Sequence, residues 1–508
     1  MFTSLKNNYK QNKRYFLLTL WISLLSIVPQ LFMYLNVKHF VSLIFLSLFL
    51  FVSSHLNKYL FAFFILFLNT VNIFQTHVAL HWGGYTGNLS PRINVTLSSP
   101  SYEKIEYLTT YLDYRDYLML IYSLAIVILL ILLLKKRPHL RSMQKVFLLP
   151  VLILFAILQN QEPLRVAKDF YYVKQRTDIT TSRNTFLQAY QSTPLPQPLY
   201  DKIIIIQGES ANKYFLNLYG YPDNTTPYLS KLNKEGLLYT FNTIAPSNQT
   251  RYAIPMLYTD ATVSNWEEGF INSPSLLSEF KNAHYKTSWI SNQGEQGEHE
   301  DYITNIANEA DVTYFLEKHC SCTYSDQSMV DYLQRNQVNQ LKEFAVFHLI
   351  GSHFNYALRY DHNNSLYPTP TSIVEQYANS IHFTDYVIKQ VIKHYSKTNQ
   401  TLLVIYLSDH GEVVSHDLHG HGYEPAFRDE YEIPLIVYSN IHNERLEILK
   451  NIYTKKYFNG EDFNLFVKYI SGLSNNKNLS HASHVLGIDL SLIYSYEKLP
   501  HYKKSTLH

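Results

Sequence analysis

Two short polar segments each follow a run of apolar residues. After Ile203 to Ile206 comes Gln207-Gly208-Glu209-Ser210, and after Leu402 to Leu407 comes Ser408-Asp409-His410-Gly411-Glu412. Glu209, Asp409 and His410 supply two carboxylates and an imidazole, the donors that a zinc or manganese ion takes. Ser210 could give its oxygen to the same ion, which would lower the hydroxyl pKa and make a nucleophile near neutral pH. Either segment alone reads equally well as an ordinary polar strand cap. The same placement twice in one chain argues for a shared site.

Two further histidines fit beside such an ion. His353 follows the buried run Phe344 to Leu349 and a glycine turn, Gly351-Ser352. A glycine-flanked loop carries His416, His419 and His421 shortly after Asp409-His410. Neutral imidazoles there could hold a second metal or donate to phosphate oxygens. Of the loop histidines His421 is favoured, His419 comes second, and His416 reads as a solvated bystander.

These residues need strand ends to carry them. Short apolar runs at Ile203 to Ile206, Phe344 to Leu349, Leu402 to Leu407 and Ile433 to Val437, separated by helical stretches such as 372–395, suit parallel strands buried on both faces. The expected result is an α/β sandwich with its ligands at the carboxyl ends of the strands.

The first 160 residues differ in kind. Five apolar runs, 15–35, 40–56, 59–80, 117–134 and 146–158, approach or reach the length of a membrane-crossing helix, about 20 residues. The basic residues Lys6, Lys10, Lys13 and Arg14, then Lys58, then Lys135, Lys136, Arg137, Arg141 and Lys145 fall on one side if there are five crossings. That side is the cytoplasm, so everything after about residue 162 lies outside it. If the fifth run were an interfacial or buried helix instead, the C-terminal half would lie inside. The expected organisation is a transmembrane domain over 1–162, a connector along the membrane surface over 163–199 and a water-soluble domain over 200–508. Phe170, Tyr171 and Tyr172 in the connector suit the headgroup layer or a packed junction between the domains.

Composition closes off other classes. Of 508 residues, 17% are charged and 15% aromatic, which excludes disorder for most of the chain. A net charge of +2 provides no basic field for nucleic acid. Two cysteines, Cys320 and Cys322, exclude a disulfide-rich scaffold or a four-cysteine zinc module.

Taken in order, Gly208-Glu209-Ser210, Leu218-Tyr219-Gly220-Tyr221, Asn224-Thr225-Thr226-Pro227, Gly351-Ser352-His353, Ser408-Asp409-His410-Gly411-Glu412 and His421-Gly422 resemble the bacterial phosphoethanolamine transferases, of the alkaline-phosphatase and sulfatase superfamily. The resemblance implies a five-span helical bundle in the inner membrane and a sulfatase-like α/β domain in the periplasm. It implies transfer of phosphoethanolamine from phosphatidylethanolamine to an envelope glycan such as lipid A, core lipopolysaccharide or a periplasmic glucan. Glu209, Asp409 and His410 then look like zinc ligands, Ser210 like the nucleophile, and His353 and His421 like the pair beside the phosphoryl group. Thr250 and Pro255 resemble substrate-side residues, and Glu103, with Glu106, weakly resembles the acidic stretch near the lipid headgroup.

Two departures stand out. Many members carry threonine where this chain has Ser210, and Cys320-Ser321-Cys322 is spaced more tightly than the family's cysteines. A phosphoglycerol transferase of the lipoteichoic-acid-synthase type has the same layout and competes for the headgroup. A sulfatase is disfavoured, because Ser210-Ala211-Asn212-Lys213-Tyr214 lacks the proline and arginine of the aldehyde-forming motif. A non-catalytic membrane sensor is the reading from another class.

Overall fold

The computed structural model describes residues 114–134, 178–191, 195–295, 301–316, 325–336, 340–453, 456–477 and most of 479–502, with scattered positions between 17 and 112. The chain divides into two compact units, Met1–Ile93 with Lys104–Tyr171 and Asn94–Glu103 with Tyr172–His508.

Within the first unit, Tyr114–Leu134 is one helix of 21 residues, long and apolar enough to cross a membrane. Leu118, Ile121, Leu124 and Ile128 are all at least half exposed along it, an outer face that suits lipid and not water. Tyr122 donates to the Leu25 carbonyl and Asn69 Nδ2 to the Ser123 carbonyl, so polar groups join this helix to residues far away along the chain. The other four expected spans lie outside the described residues apart from isolated positions, as do Glu103, Glu106, Cys320 and Cys322.

The second unit is built on a sheet. Its strands are β1 (Lys202–Gly208), β2 (Leu238–Ile244), β3 (Lys286–Ser291), β4 (Val312–Phe315), β5 (Glu343–His348), β6 (Leu402–Ser408), β9 (Glu432–Ser439) and β10 (Phe458–Asn459). Two small hairpins pair β7 (Val413–Val414) with β8 (His419–Gly420) and β11 (His484–Leu486) with β12 (Ile493–Ser495). The order across the sheet is β10-β2-β9-β6-β1-β5-β3-β4.

Every residue of β1 and β6 is buried, as continuous apolar runs require when helices cover both faces. Alternate residues feed two cores: Ile203 and Ile205 enter one with Phe241 and Trp289, while Ile204 and Ile206 enter the other with Tyr377 and Ile381. The expectation of parallel strands fails at one place. β9 pairs antiparallel with both β6 and β2, because 409–431 returns to the sheet without a crossover helix.

The helix Ile373–Tyr395 carries much of the second core. Ser372 caps it by accepting from the Glu375 amide. Its buried Asp385 in turn caps the helix Pro227–Lys234, accepting from the Tyr228 and Leu229 amides at 2.9 Å each. Of the stretch 163–199, the described part includes a helix over 178–189 that belongs to the second unit. Arg183 on it is wholly buried, bonded to the Phe270 and Ser273 carbonyls and to Glu309 Oε1, with its guanidinium 4.4 Å from the Phe270 ring centre.

Candidate active site

Three parallel strands converge on one edge. β1 lies between β5 and β6 in register, Gln207 opposite His348 on one side and Gly208 opposite Ser408 on the other. Side chains that follow these strand ends therefore emerge together. A Cβ at Gly208 would sit 2.8 Å from the Tyr406 ring, so glycine is required where β1 leaves the sheet.

Glu209, Asp409 and His410 place ligand atoms within 4.8 Å of one another, all buried. His410 Nε2 is 3.2 Å from Glu209 Oε1 and 3.4 Å from Asp409 Oδ2. Its Nδ1 donates to the Gly411 carbonyl at 2.8 Å, which fixes the tautomer and turns Nε2 toward the carboxylates. Asp409 Oδ2 is buried and accepts no hydrogen bond of good geometry.

Burial, and then the nearby Glu209 charge, raise Asp409 to about 8. Burial alone would lower His410, but the charges of Asp409 and Glu209 outweigh it and carry it to about 10. Burial also works to raise Glu209, yet the His410 charge holds it well below the usual carboxylate range. Two carboxylates pressed together away from water, beside an imidazole whose far nitrogen is tied to a carbonyl, form a donor set that a divalent cation fits.

Thr250 completes the cluster. It opens the helix Thr250–Tyr258, where unpaired backbone amides favour negative charge. Its Oγ1 lies 3.2 Å from Glu209 Oε2 and 3.3 Å from His410 Nε2, and the residue is partly exposed. Ser210 is placed differently. It is 0% exposed, holds a φ of +56°, and donates from Oγ to Glu209 Oε1 at 2.8 Å. Its amide donates to Asp409 Oδ1 at 3.3 Å and its carbonyl accepts from Tyr377 Oη at 2.6 Å. Pro255 lies inside the same helix as Thr250, away from its first turn.

The histidines separate by position. The His421 ring centre is 4.1 Å from that of His410 and 6.3 Å from that of His353, so these three stand together. His421 Nδ1 is 3.6 Å from Glu412 Oε1, a buried carboxylate. His419 stacks on Phe354 at 5.0 Å, and His416 is exposed.

Several residues that shape this site were not singled out in the sequence. Gln293 Nε2 donates to Glu209 Oε2 at 3.2 Å and to the Leu349 carbonyl at 2.7 Å. Its signal is the one that exposed Glu209, a polar residue just past a buried strand, here β3. Asp326 accepts from the Ile350 and Gly351 amides at 3.0 and 2.9 Å. That turn presses on β1's exit: a Cβ on Gly351, whose φ is +53°, would meet the Glu209 carbonyl at 2.7 Å. Glu430 holds the histidine loop, accepting from the amides of Gly422 at 2.6 Å, Tyr423 at 3.0 Å and Phe427 at 2.7 Å, and from Asn248 Nδ2 at 2.9 Å. Asp326 and Glu430 bond largely to backbone, and backbone partners leave no mark in a sequence.

The chain is similar to known proteins over this unit. It is 27% identical over 260 residues to the phosphoethanolamine transferase EptC of Escherichia coli K12, 47% of this chain and 45% of that protein. The matched stretch thus spans about half the length of that relative. Its fold is similar to the EptC periplasmic domain of Escherichia coli in complex with Zn, with a TM-score of 0.51 and 22% identity, over 61% of this chain and 96% of that one. It is also similar in fold to the integral membrane lipooligosaccharide phosphoethanolamine transferase A of Neisseria meningitidis. There the TM-score is 0.65 at 17% identity, over 91% of this chain and 96% of that one. The sulfatase family model matches residues 201–465, more than half of the chain and the whole span from β1 to past β10. With the helix that Thr250 opens, the carboxylate pair and the His410 imidazole all inside that match, the chain belongs to the sulfatase family.

Proposed function

We propose that the protein transfers phosphoethanolamine from phosphatidylethanolamine to an envelope glycan, lipid A or core lipopolysaccharide among them, at the periplasmic face of a bacterial inner membrane. The observation that carries this reading is a partly exposed residue, Thr250, whose Oγ1 is in contact with both Glu209 and His410 at a helix N-terminus. The relatives named above are phosphoethanolamine transferases, which supports the headgroup.

Thr250, and not Ser210, is the nucleophile in this proposal. Ser210 has no exposed surface for a substrate to approach, and its hydroxyl is spent on orienting Glu209. A zinc ion, or manganese, held by Glu209, Asp409 and His410 would lower the hydroxyl pKa and offset charge on the phosphoryl oxygens. Thr250 Oγ1, its proton given up to solvent under that lowered pKa, attacks phosphorus. The phosphorus–oxygen bond to diacylglycerol breaks, and the departing alkoxide takes its proton from His353 or His421, which stand together beside His410. The acceptor hydroxyl then attacks the phosphorus on Thr250, its proton returning to that imidazole, and the threonine oxygen leaves as the alkoxide it was before the first attack. Both imidazoles, when protonated, offset charge on the transferring group. Anchorage in the bilayer gives the second unit its lipid donor at high effective concentration.

Incubating the purified full chain with headgroup-labelled phosphatidylethanolamine and phosphatidylglycerol tests the reading. Covalent label from phosphatidylethanolamine is expected, and label from phosphatidylglycerol alone would overturn the choice of headgroup.

A further inference from the structure

We infer that Arg359 is a positioning residue for His353, acting through the carbonyl that decides which ring nitrogen of His353 carries the proton. Arg359 ends a short 3-10 turn, Tyr356–Leu358, and is 2% exposed. Its Nε donates to the His353 carbonyl at 2.7 Å and its Nη2 to the Phe354 carbonyl at 2.9 Å. The same Phe354 oxygen accepts from His353 Nδ1 at 2.7 Å.

A carbonyl oxygen has no proton to give, so Nδ1 bears a proton and Nε2 is the nitrogen left to gain or lose one. One oxygen with two acceptor positions thus serves both the guanidinium and the imidazole. Arg359 fixes that oxygen by a two-point fork across successive carbonyls, a geometry that lysine cannot reproduce. The start of 350–354 is held by Asp326, which takes the Ile350 and Gly351 amides. Buried groups of opposite charge therefore grip the two ends of 350–354, and the Arg359 charge also acts on Asp326. The His353 ring lies 6.3 Å from that of His421, so a ring turned about its own axis would change what the site presents to a phosphoryl group.

The kinetic part of the test rests on the transfer proposed above. With zinc-loaded full chain in lipid micelles, Arg359→Gln is expected to lower kcat about 30-fold, as a misplaced catalytic group does, with KM for phosphatidylethanolamine changed by less than about 3-fold. Zinc content should stay the same. Combining Arg359→Gln with His353→Asn should cost no more than His353→Asn alone, because residues acting through one another are not additive. Additive losses, or lost zinc, would overturn the inference. Arg359→Lys keeps the charge and carries the same cycle if the glutamine variant does not fold.

A second readout needs no turnover. The rate at which diethyl pyrocarbonate modifies His353, measured by peptide mass spectrometry against the exposed His416, should change severalfold in Arg359→Lys. An unchanged rate overturns the inference whatever the donor lipid proves to be, whereas a wild-type chain that labels from neither lipid overturns only the transfer reading.

Discussion

Thr250 Oγ1 and Glu209 Oε2 lie 3.2 Å apart although they are 41 positions apart in the chain, one at the start of a helix and the other just past the end of a strand. The contact places a hydroxyl from outside the sheet on a ligand set that the sheet itself provides. Glu209 is held from its other oxygen by Ser210, so in the transfer proposed above the two hydroxyls divide the work of attack and orientation.

That division is measurable. Thr250→Ala should reduce transfer by at least ~10³-fold, the scale on which loss of a nucleophile acts, and should abolish the phosphoethanolamine adduct in the intact mass. Ser210→Ala removes one hydrogen bond to a charged group, about 1.5–3 kcal/mol, and should slow transfer without abolishing the adduct. An adduct that survives Thr250→Ala and disappears in Ser210→Ala restores the serine as nucleophile.

Removing the metal should expose the strain between the paired carboxylates. Chelation is expected to lower the melting temperature of the wild-type chain by several degrees, since bound ligand stabilises only the folded state. Asp409→Asn relieves the repulsion from Glu209, so this variant should be more stable than wild type without metal and should gain nothing when zinc is added. Differential scanning with and without chelator reads all four states.

Asp385 should impose a pH dependence on stability. Burial, offset in part by its bonds to the Leu229 and Tyr228 amides, raises its pKa from 3.8 to about 6. The folded state therefore holds the proton more tightly than the unfolded one between these values. Its contribution is fully present below about pH 4 and is lost as pH rises through about 6, a change of ~3 kcal/mol. Urea unfolding across this range should show wild type losing that much relative to Asp385→Asn, and parallel profiles would remove Asp385 as the cause.

Arg183→Met should free the helix over 178–189 from the second unit. It strands Glu309 in the interior without its cation, a loss on the order of 3–5 kcal/mol for a broken buried pair. Limited proteolysis should then cut within 178–195 much faster than in wild type, at equal zinc content.

Gly351→Ala should damage the metal site from a distance. The added methyl meets the Glu209 backbone, and φ at +53° strains any residue with a side chain. Weaker zinc binding, measured by competition with a chromogenic chelator, is the expected outcome.

The sequence carried the strands that do most to place the site. Ile203 to Ile206 and Leu402 to Leu407 are continuous apolar runs, and nothing but a buried strand suits them at that length. β2 was harder to see because Thr240, Asn242 and Thr243 interrupt its apolar residues, and β4 is only four residues long. Glu209, Asp409 and His410 were legible because each follows a buried run directly. The choice between Ser210 and Thr250 was not, since adjacency along the chain favours the serine and only folding brings the threonine to the same carboxylate. Asp326, Arg359 and Glu430 escaped notice for a common reason: the groups they hold are mainly amides and carbonyls, which every residue type offers alike.

The reversed direction of β9 has a consequence for how such a protein can diversify. Because β6 ends and β9 begins at the same edge of the sheet, 409–431 departs and returns on one side, pinned at its return by Glu430. Its tip, His416 and Asp417, is exposed, while Val413, Ser415 and Leu418 are buried. Under the transfer proposed above, an insertion confined to that tip would vary the surface a recipient meets and leave Glu209, Asp409, His410 and the strand register as they are.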